Sequence, residues 1–387
     1  MTEADRFDSY FRERAVYLHI PFCRTICPYC DFAVVAGLGD EFAGYVTALE
    51  AEMRMSSSFG PVASIYVGGG TPSFLAPEHL RRLLVATDEH HGIVPGAEIS
   101  VEANPEDWMP SWGEEVVAAG FNRVSFGAQS FSDETLRFLG RSHRGSEIGP
   151  IAVGARDAGF DVVNLDLIFG SPGESLVGWV KTVEAAISAR PDHISCYALT
   201  VERGTPLGRA VAAGAEAPDP DLQAGMYEAA SELLGAAGYV RYEVSNWSRA
   251  GLECVYNSIV WAQGEYEGHG NGAHRYREAV RSRNHRRLSA YLAAVKAGRS
   301  PRAGAEKIEG WDAEIDRLFV GLRRTVGVAD GPGVEALLAS PSGVRLVDSG
   351  IIEHRDRRLV VKVPLLSDEV NRALLGLEGP VESSQAR

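Results

Sequence analysis

The chain has 387 residues, 38 basic and 52 acidic, and its net charge of −14 argues against a general binder of nucleic acid or anionic membrane. No apolar run approaches a membrane span, so stable insertion in a bilayer is not expected, and the N-terminal Met-Thr-Glu-Ala-Asp-Arg does not read as a signal peptide. Five cysteines, three of them clustered, do not form a disulfide framework; the sequence implies a cytoplasmic protein with reduced thiols.

The first apolar, β-branched run is Ala15–Ile20, and directly after it comes Cys23-Arg-Thr-Ile-Cys27-Pro-Tyr29-Cys30. Three thiolates spaced Cys-x3-Cys-x2-Cys can hold three irons of a cubane [4Fe–4S] cluster and leave the fourth iron without a protein ligand. An open metal position is one that binds substrate, and S-adenosylmethionine (SAM) suits it through its amino and carboxylate groups. Structural zinc would ask for a second pair of ligands, and none follows. Cys196 and Cys254 stand alone and read as small buried apolar residues, not as cluster ligands.

Further strand-like runs are Ser64–Val67, Glu98–Val101, Arg123–Phe126, Val162–Ile168 and His193–Leu199. Helical spacing is seen over Asp40–Met55, Pro77–His90, Ser132–Leu139, Ser175–Ala189 and Asp221–Ala237. Alternation of this kind predicts parallel strands with right-handed crossovers, here an incomplete (β/α)6 barrel over residues 1–240. Glycines and polar residues fall at or after the strand ends: Gly68-Gly-Gly70-Thr71-Pro, Glu102-Ala-Asn-Pro, Gly127-Ala-Gln129, and Asp166-Leu-Ile-Phe-Gly. Chemistry in barrels gathers at that rim. The glycines allow close backbone approach to a ligand, with carbonyls facing the SAM amino group. Glu102 suits a ribose hydroxyl or an ammonium, and the fork of Arg141 suits a carboxylate. No catalytic residue is assigned.

Residues 241–300 read as an extension capping the barrel, and residues 301–387 as a separate module reached through a linker at Lys296–Ala305. That module has a helix near Ile308–Thr325, another near Gly333–Ala339, a strand–turn–strand within residues 350–363 and a closing helix Ser367–Leu375, an order resembling a winged helix. Between them lies the run from His274 to Arg287, with six arginines. It reads either as an anion site for heme propionates or an acidic partner, or as a solvated helix face.

The motifs Tyr17-x-His-Ile-Pro-Phe-Cys, Gly-Gly-Gly-Thr-Pro-Ser, Glu-Ala-Asn-Pro, Ser-x-Gly-Ala-Gln-Ser, Arg141-x-His143 and Asp166-Leu-Ile-x-Gly-x-Pro, with the cysteine triad, resemble the oxygen-independent coproporphyrinogen III oxidase-like radical SAM family. The resemblance spans nearly the whole chain. It implies a [4Fe–4S] cluster on Cys23, Cys27 and Cys30, and SAM contacts from Tyr17, Gly69, Gly70, Thr71, Glu102, Gln129, Arg141, Asp166 and Ala198. The true oxidase carries an N-terminal extension and a further cysteine where this chain has Phe32. Both departures resemble the heme-chaperone branch, HemW, which implies heme as cofactor, apo-hemoproteins as recipients and no coproporphyrinogen oxidase activity. That branch has a His-Asn-x-x-Tyr-Trp motif. Here Asn257 and Trp261 are kept, while Tyr256 replaces the His and Val260 the Tyr. Tyr256 as a tyrosinate, or His269 or His274, are the heme-ligand candidates.

The expected function is therefore a heme chaperone. The alternative is a radical SAM enzyme, either coproporphyrinogen III dehydrogenase-like or a methyltransferase, that generates a 5′-deoxyadenosyl radical. A cluster-sensing winged-helix regulator is the third reading, disfavoured by the acidic charge.

Overall fold

The computed structural model describes residues 2–37 and 39–379. Six parallel strands form its centre: β1 Arg14–Ile20, β2 Val62–Gly69, β3 Ile93–Ala103, β4 Arg123–Gln129, β5 Val162–Phe169 and β6 His193–Ala198. They pair in chain order, each parallel to the last. Helices Phe42–Met55, Pro77–His91, Pro110–Ala118, Gly145–Ala158 and Leu176–Ser188 connect them, and Pro220–Ala236 follows β6. The helix-facing side of the sheet is apolar: Val16, Leu18, Ile65, Val67, Val101, Val124 and Val163 are fully buried. Each such side chain contributes about 1.5–3 kcal/mol by leaving water. This is the incomplete (β/α)6 barrel that the alternating runs predict.

The sheet extends beyond the barrel at both edges, to twelve strands among the described residues. Beyond β1 lie Glu265–His269, parallel to β1, then His274–Arg277, Val280–Asn284 and Arg302–Lys307, all antiparallel. Beyond β6 lie Asn246–Ser248 and Val240–Arg241. Two expectations change here. The arginine-dense run is a β-hairpin, not a helix face, and Glu278 and Ala279 turn it with φ of 53° and 57°. Two left-handed residues make the tight turn that matches strand twist, usually with Asn or Gly, so Glu-Ala carries no turn signal in sequence. Arg302–Lys307, which begins within the expected linker Lys296–Ala305, is an exposed edge strand, and it forms because the edge of Val280–Asn284 is free to pair. Its charges suit an edge.

A second apolar cluster centres on Leu318, Val334, Leu337, Ile352, Leu359 and Leu374. It is built by helices Gly310–Gly321, Pro332–Ala339, Pro341–Asp348 and Ser367–Leu375 around a three-stranded sheet, Val328–Ala329, Arg358–Val361 and Ile352–Arg355. Asp8 on the N-terminal helix Glu3–Ser9 ties this module back, pairing with Arg324 at 3.0 Å and Arg358 at 2.8 Å.

One buried carboxylate joins the barrel to its extension. Glu52, 6% exposed, accepts hydrogen bonds from Asn284 Nδ2 at 2.6 Å, the Gly270 amide at 2.8 Å and Tyr291 Oη at 2.7 Å. Glu52→Ala strands three donors, so urea unfolding should show a loss of roughly 3 kcal/mol, with new protease cleavage in residues 265–307 before the barrel is cut.

Candidate functional site

The carboxyl ends of the barrel strands open into a cavity of about 510 Å3, and the loop after β1 forms one wall. Cys23, Cys27 and Cys30 all line it as half-buried free thiols. The loop is fastened from several sides. Gly70 and Thr71 amides donate to Ile20 O and Phe22 O at 2.7 and 2.8 Å, the Leu207 amide to Pro28 O at 2.8 Å, and Asn271 Nδ2 to Ala33 O at 2.9 Å. Thr71 Oγ1 lies 3.6 Å from Cys23 Sγ, and Arg141 Nη1 3.8 Å from Cys27 Sγ. Burial pushes the Cys23 thiol up to about 11 and raises Cys30 as well. Thiols so placed ionise when a metal's positive charge arrives, and metal binding releases their protons. Three sulfurs on one wall facing an open cavity fit a cluster with one iron left for a ligand.

Eight of the nine residues expected to face SAM line the same cavity as the thiols: Gly69, Gly70, Thr71, Glu102, Gln129, Arg141, Asp166 and Ala198. A Cβ on Gly70 would come 2.8 Å from Phe22 O, and Gly69 has φ of +119° with a Cβ position 2.5 Å from the His19 ring. Only glycine fits either place. Their amides are already used, since Gly69 N–H donates to Glu102 at 2.8 Å, so the loop offers a ligand its carbonyls. Glu102 also accepts from Tyr66 Oη at 3.0 Å. Burial pushes its pKa up to about 7, against the Gly69 amide, with the charge of Asp166 adding to the rise. Asp166 accepts from Ser125 Oγ at 2.6 Å and Asn164 Nδ2 at 2.9 Å; burial raises its pKa too. Gln129 sits at φ 60° on an irregularity in the β4–β5 pairing, which turns it into the cavity mouth. Arg141 is held by Asn104 Oδ1 at 2.6 Å and Glu106 at 3.3 Å, while its Nε is buried without a hydrogen-bond partner among the described residues.

Tyr17 does not line the cavity. Its hydroxyl lies 3.1 Å from His19 Nδ1, and His19 Nε2 is 3.1 Å from Ala33 O, so Nε2–H donates to the loop and Nδ1 accepts from Tyr17. Burial lowers the His19 pKa to about 4, which keeps that imidazole neutral. Residues missed in sequence add to the lining, among them Tyr66, Asn104, Glu106, Ser125, Ile168 and Tyr197. Several were readable from the period of two, since Ser125–Gly127–Gln129 and Asp166–Ile168 share a face.

None of the heme candidates lines this cavity. Tyr256, Asn257 and Trp261 belong to the short helix Val255–Trp261, whose first amides donate to Glu98. Tyr256 packs among Tyr66, Tyr17 and Tyr266, with ring centroids 5.2, 5.9 and 6.3 Å away. Burial drives its pKa well above 10, and Tyr266, Tyr17, Cys254 and Glu102 all push the same way, opposite to what a tyrosinate needs. Trp261 lies under the Arg323 guanidinium, 4.8 Å from its ring centre. His269 is buried, its Nδ1 3.7 Å from Glu52. His274 is exposed on its strand, opposite Arg283; partial desolvation, then Arg283 and Arg281, lower its pKa and hold it neutral.

Residues 17–186 match the Radical SAM superfamily. The chain is 40% identical to the heme chaperone HemW of Mycobacterium tuberculosis over 380 residues, covering 93% of this chain and 94% of that protein. It is 32% identical to HemW of Bacillus subtilis, covering 94% and 99%. Among solved structures, coproporphyrinogen III oxidase (HemN) from Escherichia coli superposes with a TM-score of 0.80 over 97% of this chain and 93% of that one. At 21% identity that likeness is one of fold.

Cys23→Ser, Cys27→Ser and Cys30→Ser should each abolish the brown chromophore and the bound iron after anaerobic reconstitution, whereas Cys196→Ala, remote in β6, should keep both. Equal iron loss from Cys196→Ala would sink the assignment. Glu102 gives a pH signature. Its folded pKa lies above the usual value of 4.5, so its stabilising contribution is complete below about 4.5 and is lost as pH rises through about 7. Urea midpoints of the ligand-free protein at pH 5 and pH 8 should therefore differ, and Glu102→Gln should shrink the gap by an amount on the order of a few kcal/mol.

Proposed function

The chain belongs to the heme chaperone HemW family of radical SAM proteins, and from that membership we propose that it binds heme and delivers it to apo-hemoproteins in the cytoplasm, holding a SAM-ligated [4Fe–4S] cluster. One observation carries this reading. The similarity to HemW runs through 93% of the chain, so it includes the outer strands and the C-terminal module as well as the cluster motif. Phe32 supports it: this side chain is 63% exposed beside the triad, at the place where the oxidase has a further cysteine.

The chain's own residues have defined tasks in this scheme. Cys23, Cys27 and Cys30 anchor the cluster. Gly69, Gly70 and Thr71 present carbonyls to a ligand's amino group, Glu102 accepts a ribose hydroxyl or ammonium, and Arg141 is the nearest cation for a carboxylate. When bound, cluster and SAM supply a one-electron reductive centre. Heme finds its place outside the barrel cavity, whose 510 Å3 suits one small ligand. His274 is the better-placed axial ligand, because it is exposed and neutral where Tyr256 is enclosed and protonated.

A second reading keeps a specific support. The cavity retains the polar set that would orient SAM for cleavage, with Glu102 near neutrality as a proton donor or acceptor. Under that reading the chain is a radical SAM enzyme acting on a substrate other than coproporphyrinogen.

Anaerobically reconstituted protein loaded with heme should transfer it intact to an apo-hemoprotein. The same preparation, given coproporphyrinogen III, SAM and a reductant, should yield no decarboxylated product by mass spectrometry. Conversion at useful turnover would move the chain to the oxidase branch. His274→Ala should weaken ferric heme binding by about tenfold or more, and Tyr256→Phe should leave it near the parent value; the reverse result would restore Tyr256 as the ligand.

A further inference from the structure

Two of the three cluster thiols have a side-chain donor beside them, and one amide joins the two donors. Thr71 Oγ1 is 3.6 Å from Cys23 Sγ, and Arg141 Nη1 is 3.8 Å from Cys27 Sγ. Asn104, the first residue after β3, stands between them: its Oδ1 lies 2.6 Å from Arg141 Nη2 and its Nδ2 3.1 Å from Thr71 Oγ1. A guanidinium only donates, so Oδ1 has to face Arg141 and Nδ2 the hydroxyl. Thr71 Oγ1 therefore accepts from Asn104, and its single proton is left for the Cys23 sulfur. Arg141 Nη2 meets Asn104 Oδ1, Gly127 O at 3.2 Å and Glu106 at 3.3 Å, more acceptors than it has hydrogens. That nitrogen is held, and Nη1 is left for Cys27. Asn104 is fixed in turn. Pro105 keeps it extended, at φ −97° and ψ 142°, and its own amide donates to Ser73 Oγ at 3.0 Å. Cys30 differs from the other two, because it is the Phe32 backbone amide that favours its thiolate.

We propose that Asn104 is a positioning residue for the iron–sulfur cluster: by aiming the Thr71 hydroxyl at the Cys23 sulfur and the Arg141 guanidinium at the Cys27 sulfur, it raises the reduction potential. The inference rests on the reading that the thiol triad holds the cluster, and it goes further by assigning what tunes it. A donor or a positive charge beside a ligating sulfur favours the reduced state, which carries one more negative charge. Without those donors the added electron is less well stabilised, and reduction becomes harder. The arrangement puts both donors under one side chain. If an acceptor replaces Nδ2, the Thr71 proton turns to that acceptor and away from Cys23. If an apolar group replaces the amide, the hydroxyl loses the bond that directs it, and the guanidinium loses its shortest one.

The test is a dye-mediated redox titration of the anaerobically reconstituted protein without SAM, followed by the electron paramagnetic resonance signal of the reduced cluster, with iron content measured first. Asn104→Leu should make reduction about tenfold less favourable, a fall in midpoint of about 59 mV for a one-electron couple. Asn104→Asp keeps the shape but cannot donate to Thr71, and it should shift the midpoint the same way. Thr71→Val should make reduction about threefold less favourable, whereas Thr71→Ser, which keeps the hydroxyl, should stay within about twofold of the parent. Asn104→Leu combined with Thr71→Val should lower the midpoint by less than the sum of the two single effects, because Asn104 acts through that hydroxyl. Should Asn104→Leu take up too little iron to titrate, Asn104→Asp and the Thr71 pair still decide. An unchanged midpoint in Asn104→Asp, a Thr71→Val midpoint equal to the parent's, or strict additivity would each overturn the proposal. So would a change in urea unfolding with no change in midpoint, which would leave Asn104 a structural role only. A parent protein that takes up no cluster would overturn the underlying reading as well, so the two failures are told apart.

Discussion

A loop that carries three thiols has to be held in shape before it can hold metal, and residues 21–37 have little regular structure with which to hold themselves. Apart from the two-residue pairing of Phe22–Cys23 with Val35–Ala36, the loop depends on bonds from elsewhere in the chain. The glycine turn after β2 grips its start, Leu207 in the first turn of helix Pro206–Ala212 its middle, and His19 and Asn271 its end at Ala33. Each bond is worth only about 1 kcal/mol net. Their placement matters more than their sum, since they come from four separate stretches of chain and leave the loop few alternative conformations.

The barrel beneath is unusual in being polar inside. Arg123 and Glu98 pair at 3.2 Å near its floor, and Glu98 also receives the amides that start helix Val255–Trp261. Above them His193, Asn164, Ser125 and Asp166 are linked by hydrogen bonds. Removing one member of such a network strands its partner, so the column resists piecemeal change. It also places Asp166, a carboxylate made reluctant to ionise by burial, in the cavity lining beside Glu102, which burial affects in the same way. The rigidity of the lumen and the chemistry of its rim have the same source.

How much of this was readable in the amino-acid sequence followed from how local each signal is. The six barrel strands are β-branched runs buried by their neighbours, and the thiol spacing carries its meaning within eight residues. Eight of the nine residues expected to face SAM share one cavity, because strand ends in such barrels share a rim, whereas the Tyr17 hydroxyl turns to His19 and not to the cavity. The extension was opaque. A Glu-Ala turn and the edge strand Arg302–Lys307 without a β-branched residue depend on tertiary context, as does the barrel helix Gly145–Ala158 with Pro150 inside it. The arginines misled for the same reason, because the carboxylates that neutralise several of them lie at distant positions such as Glu267 and Asp316.

Asn271 has a consequence of its own. Its side chain grips the cluster loop and the segment just after the outer hairpin at once, and its Oδ1 shares the single proton of the Tyr45 hydroxyl with His19 O. A fully buried amide with every polar atom engaged is a poor hinge and a good strut. Strain applied at one end therefore arrives at the other, and thermodynamic reciprocity then fixes the exchange: whatever a ligand on the hairpin does to the free energy of the thiol loop, a ligand on the loop does in equal measure to the hairpin.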